Sequence, residues 1–172
     1  MKAKLTSLIL FVVIVSCKKD NILVLNGPLT DCPANSTCTY NYYNNADFTS
    51  GSQPVYGNYR VFWYNSIDNN TNACGPFTQF YFKTSLNINE FDIKSNQIAA
   101  GQVVANENRC PCCYNIAVLA TKPIGGEVKG KRTDATHWLI NASIILETSI
   151  NHPTDTLTVN QYFTLEKIPW IS

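Results

Sequence analysis

From Tyr59 onward polar and apolar residues alternate along much of the chain, which is the mark of strands with one buried face. The clearest run is His137 to Thr148. Trp138, Ile140, Ala142, Ile144 and Leu146 fall on one side of it, and His137, Asn141, Ser143 and Glu147 on the other. Thr156 to Lys167 repeats the pattern, with Leu157, Val159, Phe163 and Leu165 inward and Thr156, Thr158, Asn160, Thr164 and Glu166 outward. The two segments are expected to pair as a hairpin. Their connection, residues 149–154, supplies polar turn residues and Pro153, which cannot donate to a ladder.

Further strands are expected over Thr37 to Tyr43, Tyr59 to Tyr64 and Thr78 to Thr84, all aromatic-rich as pleated, half-buried surfaces favour. Cys113 to Ala120 and Glu127 to Arg132 follow, joined through Pro123-Ile124-Gly125-Gly126. Phe91 to Ala105 carries two signals: Ile98-Ala99-Ala100 begins a helical pattern, Gly101 interrupts it, and Val103-Val104 favours a strand. Helical periodicity is otherwise nearly absent. Counting the ambiguous stretch once gives about eight strands, which must pack as two sheets or close on themselves, because a single open sheet would leave its apolar face in water. The expected fold is all-β: an antiparallel β-sandwich of about eight strands stapled by disulfides, with a closed β-barrel as the alternative.

The start of the chain follows another rule. Met1-Lys2-Ala3-Lys4 is a short basic segment, Leu5 to Val15 is apolar throughout except Thr6 and Ser7, and Ser16 stands directly before Cys17. A bilayer-spanning helix needs roughly 20 apolar residues, so this shorter run reads as the apolar region of a removable signal peptide. Ile14-Val15-Ser16-Cys17 resembles the lipobox of bacterial lipoproteins, and Lys18-Lys19-Asp20 resembles the charged start of Bacteroidota-type envelope lipoproteins. The resemblance covers only the signal and its cleavage site. It implies cleavage before Cys17, acylation of that thiol, and anchorage in the outer membrane, with exposure at the cell surface implied by the charged stretch. Two or three acyl chains suffice for stable anchoring where one does not. The expected organisation is a signal peptide over 1–16, a lipidated N-terminus and tether over 17–31, and one all-β domain over 32–172.

Removing residues 1–16 from 172 leaves 156, enough for a single core-forming domain. Loss of Lys2 and Lys4 leaves 11 basic against 12 acidic groups, with both signs scattered. Such a surface has no extended basic field to release counterions from nucleic acid, so that class of partner is not expected. Lys129, Lys131 and Arg132 form one basic cluster, flanked by Glu127 and Asp134, and read as a solvated hairpin.

Six cysteines remain once Cys17 carries lipid: Cys32, Cys38, Cys74, Cys110, Cys112 and Cys113. An even number in an exported chain points to disulfides, with connectivity open. Cys32 and Cys38 bracket a turn-rich loop that a local bridge would close, and the adjacent Cys112 and Cys113 would point to opposite strand faces and take different partners. Neither His137 nor His152 stands at a zinc-ligand spacing from these thiols, and Cys110-Pro111-Cys112-Cys113 lacks the helix start of a redox motif. No metal or other cofactor is expected.

Reaction motifs of the nucleophile-elbow, zinc-helix, phosphate-loop and dinucleotide types are absent, and His137 and His152 have no partner at a recognisable spacing. The chain is therefore read as a non-enzyme. Its 9 tyrosines, 8 phenylalanines and 20 asparagines give a surface of amide and aromatic groups, from which Tyr40, Tyr42, Tyr43, Tyr56, Trp63 and Tyr64 are candidate binding residues. The expected function is a lipid-anchored envelope module that binds a protein or glycan partner. Alternatives are an extracytoplasmic inhibitor or enzyme accessory presenting the Cys32 to Cys38 loop, whose pre-ordering would lower the entropy lost on binding, or a thiol-redox protein using Cys110 and Cys112.

Overall fold

The computed structural model describes residues 23–48, 53–69, 76–108, 122–147 and 154–168. Within them the chain forms β1 (Ser36–Asp47), β2 (Val55–Tyr56), β3 (Tyr59–Asp68), β4 (Phe77–Ser85), β5 (Glu90–Lys94), α1 (Ser95–Ala99), β6 (Val103–Asn108), β7 (Lys122–Arg132), β8 (His137–Glu147) and β9 (Thr154–Leu165). The all-β expectation holds. Cys17, Cys74, Cys110, Cys112, Cys113, His152 and the strand expected over 113–120 lie outside the described residues.

The described strands do not divide into two hydrogen-bonded sheets, nor are they all antiparallel. They join in one mixed sheet of order β5-β7-β8-β9-β1-β3-β4-β6, with β2 added to β1, which curls into a half-barrel. Two runs of antiparallel neighbours meet where β1 and β9 pair in parallel, Asn41 opposite Thr164 and Tyr42 opposite Leu165. The physical reason is connectivity. A tight hairpin forces its strands antiparallel, but β1 and β9 come from opposite ends of the domain and no turn links them. The two end strands, β5 and β6, are linked through α1, whose Ile98 is fully buried in the core.

Curling lets one face of the sheet enclose a core. Phe62 and Tyr64 from β3 and Phe80 and Phe82 from β4 meet Trp138, Ile140, Ala142 and Ile144 from β8 and Phe163 from β9. Phe62 packs edge-on against Trp138 with centroids 5.3 Å apart, and Phe80 and Phe163 are 6.3 Å apart. Both faces of the expected C-terminal hairpin fall as the alternation predicts, in a ladder running from His137 opposite Thr164 to Glu147 opposite Thr154. The ambiguous stretch resolves as strand, one helical turn and strand, so both of its signals are real. Pro123 to Gly126 lies inside β7 as a bulge, not as a turn before it. At its end Gly126 has φ +111°, and a Cβ there would strike the Ser143 carbonyl oxygen of β8.

Asn160 corrects the simple alternation. It faces outward yet is buried, because Gly27 to Thr30 cross over it. Thr30 N donates to Asn160 O at 2.8 Å, Asn160 N donates to Thr30 Oγ1 at 2.8 Å, and Asn160 Nδ2 donates to the carbonyls of Gly27 and Pro28. Part of the segment expected as tether is thus a strap on the domain. Cys32 and Cys38 are joined by a disulfide, which ties the strap to β1 as the loop composition suggests.

Candidate functional site

The six candidate aromatics do not share a face. Strand alternation sends Tyr40, Tyr42 and Tyr64 into the core with Phe62, where Tyr42 is only 1% exposed. Tyr43 and Trp63 lie on the opposite face, but Phe48 and Ile168, which follow β1 and β9, fold over them. Trp63 also stacks on Tyr81 with centroids 5.2 Å apart. Tyr56 alone of the six is openly displayed, at 67% exposure.

What surrounds Tyr56 is built with care at the backbone level. Between Tyr43 and Ala46 the β1–β3 ladder shifts register, leaving Asn44 and Asn45 in a bulge. Asn45 has φ +53°, a left-handed conformation that asparagine tolerates better than most residues. On the other side of the rim, Gly57 N donates to Asn45 O at 2.9 Å, and a Cβ at Gly57 would lie 2.9 Å from the Ala46 backbone. Only glycine lets β2 approach β1 so closely, and the approach fixes Tyr56 beside the bulge.

Together with Leu165 to Ile168, which follow from β9, these residues line an open groove of about 590 Å³. Glu166 is held there by its backbone N–H, which donates to Tyr42 O at 2.9 Å. The groove has an apolar floor from Leu165 and Ile168, an aromatic rim from Tyr56, amides from Asn44 and Asn45, and one charge of each sign from Glu166 and Lys167. Its volume lies within the range of small-ligand sites, in which a few placed polar groups orient the ligand.

No known protein family, curated protein or solved structure matches this chain. What the groove can bind follows from its own residues. Behind it sits the buried Arg60, whose Nε donates to Asn44 Oδ1 at 2.9 Å while its two terminal nitrogens donate to Ile88 O and Leu86 O. Burial lowers the proton affinity of this guanidinium, partly offset by the nearby Tyr42. Asn44 thus links the two: its Oδ1 accepts from Arg60, and the residue lines the groove.

Two other polar arrangements were not legible as sites in the sequence. In the β7–β8 turn, His137 Nδ1 lies 3.0 Å from the Asp134 carboxylate and 3.1 Å from Thr136 Oγ1. The Asp134 carboxylate accepts the Thr136 backbone N–H and the His137 contact, which together hold its pKa at about 2. This gives His137 a carboxylate partner three residues away in the chain. The Thr136 hydroxyl and the carboxylate meet the same ring nitrogen and also bond each other, so the trio reads as a turn clasp and not as a base set between a carboxylate and a nucleophile. The second arrangement is the Lys94 ammonium held between Asp92 and Glu127, with Lys129 on the other Glu127 oxygen, beside a shallow polar depression at the start of α1. No group of three or more His, Cys, Asp or Glu suited to a metal ion occurs among the described residues.

Proposed function

We propose that this chain is a lipid-anchored cell-envelope protein, held at the outer membrane through Cys17, whose β-domain is a non-enzymatic binding module for a protein or glycan. The binding site is the groove beside Tyr56. One observation carries the choice of site: a bulge with left-handed Asn45, a required Gly57 and a buried Arg60 all converge on this rim. Unusual backbone and buried charge cost stability, and such features concentrate where a surface must hold a set shape.

The module is tested on intact cells by placing a photo-crosslinking residue at position 56 of the full-length protein, with position 67 as control. Ile67 is also exposed, but it stands at the far end of β3. A defined adduct from position 56 and none from position 67 supports the reading, whereas equal or no adducts refute it. The anchor is tested separately. Cys17→Ala should yield an unprocessed or soluble product, and a processed, acylated, membrane-bound variant would remove the lipoprotein part of the proposal.

The inhibitor reading retains one observation in its favour. Pro33, Ala34 and Asn35 are exposed within the bridged Cys32–Cys38 loop, and Asn35 has φ +60°. A rigid, protruding loop is what an inhibitor would present. Crosslinks from position 34 in place of position 56 would favour it.

A further inference from the structure

We infer that the groove beside Tyr56 takes a neutral saccharide. The inference rests on the binding-module reading and adds the chemistry of the ligand. A pyranose ring offers two kinds of surface, a flat patch of C–H groups and a rim of hydroxyls that both donate and accept. The groove offers the complement of each.

Tyr56 supplies the flat surface. Tyr56 is 67% exposed although β2 and Gly57 fix its backbone, so an aromatic ring with only two side-chain torsions is displayed at little conformational cost on binding. Hydroxyl recognition falls to the amides. Arg60 Nε donates to Asn44 Oδ1 at 2.9 Å, which leaves Nδ2 as the group that Asn44, a lining residue, can still offer a ligand. Asn44 therefore acts as a donor. Asn45 brings a second amide and Glu166 a carboxylate acceptor, and Leu165 and Ile168 give the C–H face an apolar floor.

Charge and size narrow the class. Glu166 and Lys167 cancel, so the lining has no net charge to select an anionic or cationic ligand. A concavity of about 590 Å³ holds one or two sugar rings, whereas a stable protein interface needs roughly 800 Å² per partner, more than a lining of this extent supplies. Arg60 is a positioning residue in this scheme, acting only through Asn44.

The test uses the full-length protein in detergent micelles, titrated calorimetrically with maltohexaose, cellohexaose, xylohexaose, mannohexaose and chitohexaose, and with an oligogalacturonate as the acidic counterpart. At least one neutral hexasaccharide should bind with Kd below about 1 mM, and Tyr56→Ala should weaken it about tenfold without changing the melting temperature. Asn44→Asp is the sharper variant. It keeps an acceptor for Arg60, so the fold is retained, but it removes the amide donor, so binding should be lost. Wild-type affinity in either variant, or binding of the oligogalacturonate alone, overturns the inference. If no saccharide binds while position 56 crosslinks a protein on cells, the saccharide class is wrong and the binding-module reading survives. If both experiments are blank, both fall.

Discussion

The guanidinium carbon of Arg60 lies 4.6 Å from the centre of the Trp138 ring, a cation held over an aromatic face inside the protein. No carboxylate pairs with it among the described residues. Backbone carbonyls of Leu86 and Ile88, the Asn44 amide and the indole face take that place. Arg60→Met keeps much of the side-chain volume but strips three hydrogen bonds and leaves part-buried carbonyls without a donor. The expected loss is about 2 to 4 kcal/mol by urea denaturation, and a loss below about 0.5 kcal/mol would show that the guanidinium contributes nothing net.

Gly126 and Gly101 offer a matched pair for the cost of a side chain. Both have positive φ, +111° and +90°, but a Cβ at Gly101 meets open space while one at Gly126 meets the backbone of β8. Gly101→Ala should cost about 1 kcal/mol and Gly126→Ala about 3 kcal/mol or more, because the second must also shift the β7 backbone away from Ser143 and Ile144 of β8. Equal costs would mean that the β7 bulge yields without harm.

The C-terminal hairpin separates inward from outward positions within one step. Ile144 is fully buried, whereas Ser143 is exposed opposite Glu127 of β7. Ile144→Asp should destabilise by about 4 kcal/mol or more, enough to unfold many domains, and Ser143→Lys should stay within about 0.5 kcal/mol of the parent. Similar outcomes in far-ultraviolet circular dichroism melts would contradict the assigned faces.

Acid should loosen the protein in a defined window. The folded pKa of Asp134 is depressed from 3.8 to about 2 by the Thr136 backbone N–H and the His137 contact. A depressed carboxylate contributes stability that is complete above its unfolded pKa and is lost as pH falls through the folded one. The Asp134 contribution should therefore fade between about pH 4 and pH 2. Glu127, lowered chiefly by its bond to Lys129, and Asp47, lowered chiefly by its bond to Lys83, act in the same direction. Denaturation at stepped pH should show Asp134→Asn with a shallower acid limb than the parent, and an unchanged slope would place the clasp outside the folding equilibrium.

Breaking the local bridge should cost about 2 kcal/mol, since it closes a short loop. Cys32→Ser paired with Cys38→Ser, compared with the parent under non-reducing conditions, measures this. No change in the unfolding midpoint would mean that the hydrogen bonds to Asn160 hold the strap by themselves.

Legibility in the sequence tracked locality. The β8–β9 pair was readable because its inward positions, Trp138, Ile140, Ala142, Ile144 and Leu146 on β8 and Leu157, Val159, Phe163 and Leu165 on β9, recur at period two, although Leu139, Ile145 and Tyr162 put apolar groups on the outward face. The same logic reaches Arg60, which shares an alternation class with Phe62 and Tyr64, although a charged residue discourages that assignment. The parallel contact of β1 with β9 left no trace, because nothing local encodes a pairing between strands more than a hundred residues apart. The groove was missed for a related reason. Among the aromatics Tyr56 was a candidate, but its partners, Asn44, Asn45 and Glu166 to Ile168, meet only after the sheet has curled.

The strap also decides how the domain would answer tension. Were Cys17 fixed in a membrane, as proposed, a pull on the domain would enter the described fold through Gly27 to Thr30, which grip β9 by hydrogen bonds to Asn160 and Gln161. Beyond that grip the covalent Cys32–Cys38 link carries force directly into β1 and spares the loop between them. The load is thus divided between the two strands that run side by side in the same direction. Under such a load both sides of the parallel seam would be engaged at once, whereas a single attachment would load only one of them.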